Sequence, residues 1–287
     1  MKKDEERALR KPQSQPRPGR EAEMRPRPVY DRPEQKGSER LKNKIAFITG
    51  GDSGIGRAVC VLFAKEGADI IVSYLNEDED AQTVKKAVEN YGQRCLLIKG
   101  DISKEGFCVK AVKRAIKEFG KIDILVNNAG IHYESKTLED ISTQQLIKTF
   151  STNVYPLFWF TKAALPFMAK GSSIINTASV TAYRGSKNLV DYAATKGAIV
   201  SFTRSLASNL IAKGIRVNAV APGPIWTPLI VSSLEPKKVA QHGSQSPMER
   251  AGEPVEVAPA YLFLASEDAS YISGQVIHPN GGEIVNG

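Results

Sequence analysis

Tyr192 and Lys196 stand four apart in Tyr192-Ala-Ala-Thr-Lys196, within a stretch whose residues suit a helix. At that spacing the two side chains leave one face, a turn apart. A tyrosine hydroxyl, with an ordinary pKa near ~10, exchanges protons poorly at neutral pH. An ammonium one turn away favours the phenolate and draws the group toward working range, which suits proton transfer to a substrate oxygen. Ser179, upstream at the end of an apolar run, adds a hydroxyl able to bind a carbonyl oxygen. An amphipathic helix with an incidental Tyr and Lys is the competing reading of the pair alone, and Ser179 weighs against it.

A second stretch suits phosphate binding. Thr49-Gly-Gly-Asp-Ser-Gly-Ile-Gly56 follows the apolar run Ile45-Ala-Phe-Ile48 and leads into a helical segment from Ala58. A buried strand, a glycine-rich turn and a helix start present free N–H groups and the positive end of a helix dipole. The spacing is G-x-x-x-G-x-G, not G-x-G-x-x-G.

The intervening elements must hold these stretches together. Apolar strands are expected at 69–74, 95–99, 122–126, 172–176, 215–220 and 275–278, with helices at 78–91, 145–168 and 191–212. Ser103 is placed to cap a helix reaching Phe119, and Ser142-Thr-Gln-Gln145 has the form of a capping box. Continuous apolar strands alternating with helices imply an α/β fold of Rossmann type, doubly wound, with a mainly seven-stranded parallel sheet and helices on both faces. Ligands bind such sheets beyond the carboxyl ends of the strands. The polar and glycine clusters 49–56, 100–101, 127–130 and Ser179 all fall at that edge.

With these motifs in place, residues 41–287 resemble the short-chain dehydrogenase/reductase family, and within it bacterial glucose/ribitol-dehydrogenase-like oxidoreductases with a Pro-rich N-terminal arm. Thr49–Gly56 is similar to its T-G-x-x-x-G-I-G turn, Asn127-Asn128-Ala129-Gly130 to its N-N-A-G, and Tyr192/Lys196 to its Y-x-x-x-K. Ser179 stands where the family serine does, and Asn153 where a helix asparagine completes a tetrad. The resemblance implies an oxidoreductase moving a hydride between a nicotinamide and a carbonyl or alcohol (sugar, polyol, aldehyde or ketone). Tyr192 would be its general acid/base, Ser179 would bind the substrate oxygen, Lys196 would hold the nicotinamide ribose and lower the tyrosine pKa, and Asn153 would hold a water for proton resupply. The implied cofactor contacts are Gly50, Asp52, Ser53, Gly54, Ile55 and Gly56 in the turn, Tyr74 after strand two, and Asp101 and Ile102 after strand three. Asn128, Ala129 and Gly130 join them, with Tyr192, Lys196, Pro222, Gly223, Ile225 and Thr227. The cofactor is NAD or NADP: Tyr74 supplies no carboxylate for a ribose 2′-hydroxyl, and neither Leu75 nor Ser53 supplies a cation for a 2′-phosphate. The acidic run 77–80 disfavours a phosphate if it faces the site. His132 either touches substrate or stands by, partly exposed. Substrate identity should depend on residues 228–250. A catalytically silent dinucleotide-sensing or scaffold protein is the alternative, and the complete tetrad argues against it.

Composition sets the remaining bounds. Net charge is +8, and residues 1–40 hold 12 Lys/Arg and 8 Asp/Glu. No basic stripe follows, so neither nucleic acid nor a membrane is an expected partner. Cys60, Cys95 and Cys108 fit neither a disulfide framework nor a metal knuckle, and no metal site is expected. With no apolar segment behind the first residues, no secretory signal is visible and the expected location is cytoplasmic. Apolar residues on more than one face of the segments around 145–168 and 192–210 imply a homo-oligomer, and the family resemblance a homotetramer. Residues 1–40 are proline-rich and read as an extended or disordered arm before one catalytic domain, 41–287. Within the arm, 1–22 read as a loose tail. Residues 23–40 read as a docking segment, with Met24, Val29 and Tyr30 as anchors and Arg25 and Arg27 pairing with carboxylates.

Overall fold

Alternate side chains of β1 (Ile45–Thr49) enter opposite layers: Ala46 and Ile48 pack into one apolar cluster, Ile45 and Phe47 into the other. Both faces being covered, the strand is apolar throughout. The same holds for β2 (Asp69–Tyr74), whose Ile70 and Val72 face one layer and Ile71 the other. With β3 (Cys95–Lys99), β4 (Ile124–Asn127), β5 (Ser173–Thr177), β6 (Arg216–Val220) and β7 (Val276–Ile277), they form one sheet ordered β3-β2-β1-β4-β5-β6-β7. Every neighbouring pair is parallel. The computed structural model describes residues 7–285.

Helices α1 (Gly54–Lys65), α2 (Asp78–Asn90), α3 (Glu105–Phe119), α4 (Thr143–Asn153) and α5 (Tyr155–Ala164) follow the first strands. A short α6 (Thr181–Arg184), the long α7 (Val190–Leu210), α8 (Pro228–Ser233), α9 (Pro236–Gln241) and α10 (Pro254–Ala265) complete the chain. Residues of α1, α2 and α10 build one layer with the sheet, and residues of α3, α5 and α7 the other. Cys60, Cys95 and Cys108 are buried and free. Among the described residues no helix is long and apolar enough to cross a membrane.

Three local expectations are corrected. The helix at 145–168 is two helices, broken at Val154. Pro156, second in α5, lacks the N–H that would continue the ladder back to Thr152. The break leaves Asn153 at the carboxyl end of α4. Ser142 does cap α4, accepting from the Gln145 N–H at 3.1 Å, but the Gln145 side chain turns away to Ser135 and Asp191. Lys104, not Ser103, is the N-cap of α3, and Ser103 sits one residue earlier with its N–H on the Asp101 carboxylate.

The arm also departs from a loose tail over residues 7–22. The Leu9 and Arg10 N–H groups donate to the Ala240 carbonyl, and that of Gln15 to Val231. Met24 is fully buried with Trp226, Ile230 and Val231, and the Trp226 indole donates to the Pro26 carbonyl at 2.9 Å. Residues further on use Asp31, whose carboxylate takes Lys65 at 2.6 Å and the Tyr91 hydroxyl at 2.8 Å. Val29 stays exposed, and Arg25 bonds the carbonyls of Ala22 and Met24 instead of a carboxylate. Backbone groups and one buried methionine, not Arg25, fix this part of the arm, while Arg10 meets Glu253 at 3.6 Å. Residues 1–6, the start of the expected tail, lie outside the described residues.

Candidate active site

The glycine turn closes against the end of β4. Gly50 has φ +60° and a Cβ there would lie 3.0 Å from Ala129; at Gly56 it would lie 2.0 Å from the Gly50 carbonyl oxygen. No larger residue fits either place. Thr49 Oγ1 accepts the N–H groups of Asn128 and Ala129 at 2.9 and 3.1 Å. The Asn128 amide returns to the carbonyls of Thr49 and Gly50. Asn128 is thus a brace between two strand ends. Ile55 and Gly56, in the first turn of α1, have N–H groups with no intrahelical acceptor. Asp52 is buried, which pushes its carboxyl up to about 6.

On α7, Tyr192 and Lys196 share a face as expected. The Tyr192 hydroxyl lies near Ser179, which stands just past β5 and accepts from the Thr181 N–H and hydroxyl. Lys196 is buried; its Nζ donates to the Thr177 carbonyl at 2.6 Å and lies 5.4 Å from the Tyr192 ring centroid. Asn153 is buried too. It accepts the Ile131 N–H at 2.8 Å and donates to the Ile131 carbonyl and Thr195 hydroxyl. A Cβ on Gly130 would stand 3.4 Å from Asn153 Oδ1 and 3.7 Å from Lys196 Nζ, so these three meet at one point.

The electrostatics differ from expectation. Burial pushes the Tyr192 hydroxyl up to about 12, with Ser179 opposing, and drives Lys196 down to about 7. Desolvation thus governs both groups, and the Lys196 ammonium is spent on the Thr177 carbonyl.

Tyr74, at the end of β2, donates its hydroxyl to Asp78 at 2.8 Å, and Asp78 also takes Lys99. Asp80 turns inward to Arg57. Of the acidic run, Glu77 and Glu79 remain outside these pairs, Glu77 half-buried. Asp101 and Ile102 follow β3, Asp101 held by Ser103. After β6, Pro222 accepts the Val180 N–H, Gly223 packs on Asn280, and Ile225 bridges to Gly252. Thr227 Cγ2 lies 3.1 Å from where a Gly54 Cβ would be, so this segment lies against the glycine turn.

His132 is no exposed bystander. It is buried, its ring centroid 5.3 Å from that of Tyr192, with Ser233 Oγ 3.2 Å from Nε2 and Nδ1 without a partner. Burial lowers its pKa to about 3, which keeps it neutral. Sequence reasoning also passed over Arg57 and Glu21, which form a buried ion pair at the foot of the turn. Arg57 directly follows Gly56, but nothing in the sequence marks Glu21 among the arm's charges.

The sequence profile of a family described as enoyl-(acyl carrier protein) reductase matches residues 50–283. The chain belongs to the short-chain dehydrogenase/reductase family, and it is an oxidoreductase of that family. It is 60% identical over 270 residues to the uncharacterized oxidoreductase YhxC of Bacillus subtilis, covering 94% of each chain. It is 50% identical to a glucose and ribitol dehydrogenase of Daucus carota, covering 94% of this chain and 95% of that one. A solved short-chain dehydrogenase from Burkholderia cenocepacia, in complex with NADP, superposes with a TM-score of 0.80 at 32% identity. That match covers 98% of the solved chain but 85% of this one, leaving a share roughly the size of the arm unmatched.

Proposed function

We propose that the protein is an NAD(P)-dependent oxidoreductase interconverting an alcohol and a carbonyl, with a sugar, polyol, aldehyde or ketone as substrate and Tyr192 as general acid/base. The observation that carries this is the placement of Tyr192 near buried Ser179 and one helical turn from buried Lys196, whose Nζ lies 5.4 Å from the Tyr192 ring centroid. The glycine turn fits a dinucleotide: a Cβ at Gly50 or Gly56 would force open the tight turn, and the Ile55 and Gly56 N–H groups at the start of α1 have no intrahelical acceptor. Gly50, Ser53, Ile55 and Gly56 would hold the pyrophosphate side, Tyr74, Asp101 and Ile102 the adenosine side, and Gly130, Tyr192, Lys196, Gly223 and Thr227 the nicotinamide side. The bound nicotinamide supplies or accepts the hydride.

In reduction, Ser179 and Tyr192 donate hydrogen bonds to the carbonyl oxygen and stabilise the charge developing on it. Tyr192 then gives up its proton to that oxygen, completing the alcohol; in oxidation it takes the proton back. A Tyr192 held at about 12 is a protonated acid ready for reduction, whereas oxidation needs it lowered. Lys196, once charged, does this and binds ribose hydroxyls. Asn153 fixes Ile131 and hence the loop bearing His132, and its place beside Lys196 suits holding a water for proton resupply. Neutral His132, with Nδ1 unpaired beside Tyr192, suits a substrate hydroxyl. A panel of sugars, polyols, aldehydes and ketones with NAD(H) and NADP(H), read at the reduced nicotinamide absorbance, tests the proposal. Turnover of one class is expected. Cofactor binding without turnover anywhere would favour the silent dinucleotide-sensing reading.

The oligomer, with a homotetramer as the family expectation, is a further part of this reading. Phe158 stacks on Phe202 at 4.5 Å yet stays exposed, as do Leu146, Ile147 and Tyr155. Such a patch on α4 and α5 suits a second copy. Light scattering showing a monomer at micromolar concentration would refute it. Three free, buried cysteines suit a reducing cytoplasm.

A further inference from the structure

Helices α4 and α7 are tied together by two rungs of buried polar side chains. In one, the Asn153 amide donates to the Thr195 hydroxyl at 3.1 Å. In the other, Asp191, 3% exposed in the first turn of α7, accepts on Oδ2 from the Thr149 hydroxyl at 2.8 Å and the Gln145 amide at 3.1 Å. Its Oδ1 accepts the Tyr192 N–H at 2.8 Å. Thr149 and Asn153 stand four apart on α4, and Asp191 and Thr195 four apart on α7, so each helix presents both rungs from one face. Tyr192 directly follows the first rung residue of α7, and Lys196 the second.

The surroundings of Asp191 require a carboxylate. All three partners are neutral donors, and among the described residues no cation pairs with it. An ionised carboxyl accepts at both oxygens, whereas an amide would turn an N–H2 group toward a donor. The Thr149 hydroxyl also has the Gln145 carbonyl of its own helix at 2.9 Å, so it is the carboxylate that depends on the rung. Burying a charge among neutral groups is costly, offset in part here by the helix start. What the two rungs fix is how far α7 is rolled about its axis. A roll of about 10° carries a side-chain tip ~5 Å from the axis through about 1 Å. A shift of that size in a reacting group costs up to about a hundredfold in rate.

We propose that Asp191 is a positioning residue for the reaction: by clamping the first turn of α7 to Thr149 and Gln145 it sets the roll of that helix, and so aims Tyr192 toward Ser179 and Lys196 toward Asn153. It acts through Tyr192 and not on the substrate. The proposal rests on the reading of Tyr192 as general acid/base.

Steady-state kinetics of the full chain, with the substrate and dinucleotide that the panel identifies, test this together with calorimetric titration of the same dinucleotide. Asp191→Asn should lower kcat about tenfold or more while KM and dinucleotide affinity stay close to wild type. Thr149→Val keeps the side chain's shape, removes the hydroxyl and lies on the other helix; it should lower kcat in the same way, and Thr149→Ser should restore it. Combined with Asp191→Asn, Thr149→Val should add little, since both cut one rung. Undiminished kcat in a folded Asp191→Asn protein would overturn the proposal. So would a loss shared by kcat, KM and dinucleotide affinity, which marks a merely structural role. If Asp191→Asn does not fold, Thr149→Val against Thr149→Ser decides the matter by the same criteria. Amide hydrogen exchange of the cofactor-free protein gives a readout without turnover. The Tyr192 N–H should exchange faster in Asp191→Asn and Thr149→Val than in wild type and Thr149→Ser, and equal protection in all four would overturn the clamp. An unaltered protein that turned over nothing on the panel would instead sink the oxidoreductase reading, and the clamp would then stand or fall on the exchange result.

Discussion

Lys196 and Arg57 are both buried cations, yet their surroundings are opposite. Arg57 is enclosed by the carboxylates of Glu21 and Asp80 and by the carbonyls of Asp52 and Asp80. Lys196 has the single carbonyl of Thr177, and burial drives its pKa down to about 7. A buried charge with every donor satisfied holds structure together; one left short of partners is costly and persists where chemistry requires it. The arm thus carries a lock, and α7 an incompletely satisfied charge suited to a ribose and a phenolate.

The largest expected effect breaks the lock. Arg57→Met leaves two carboxylates facing each other in a dry site and should lower unfolding free energy by about 3–5 kcal/mol, measured by urea denaturation. A loss within the range of an ordinary surface change would show that the arm is not held by this network.

Next comes Lys196→Met, which should do the reverse without cofactor. The folded pKa of about 7 lies below the ordinary 10.5, so between them the unfolded chain holds the extra proton and stability rises with pH. The variant lacks that penalty. It should be more stable than wild type at pH 7, on the order of 1–3 kcal/mol, with the gain fading toward pH 10.5. A destabilised variant at pH 7 would contradict the contrast.

Glu21→Gln sharpens the comparison from the other side. Burial, opposed by Arg57 and the Gly54 N–H, pushes the Glu21 carboxyl from 4.5 up to about 7. In that window the folded chain holds the extra proton, so stability falls as pH rises toward 7. Urea midpoints of Glu21→Gln across that window should show a shallower decline than wild type. The smallest effect belongs to Ser142→Ala, which removes one helix cap for about 1 kcal/mol and, acting far from both cations, should leave their pH profiles unchanged.

Much of the sheet was legible because each strand buries both faces, which forces continuous apolar runs such as Ile45 to Ile48. Tyr192, Lys196 and Ser179 were legible because helix periodicity and a strand end bring them together. The break at Val154 was not, although Pro156 signalled it, because the apolar pattern runs through both helices. Glu21 was not legible for a different reason. Its role comes from meeting Gly54, Arg57 and Asp80 in space, and its local sequence is that of any charged tail. His132 was misjudged because burial by Ser233 and Tyr192 is a tertiary property.

The central claim is that Tyr192 exchanges the proton, and Tyr192→Phe tests it most directly. The change removes one oxygen and leaves the ring that packs on His132. With the substrate that the panel identifies, turnover should fall by about two orders of magnitude or more, while calorimetry shows dinucleotide affinity close to wild type. Undiminished turnover in a folded Tyr192→Phe protein would contradict the account.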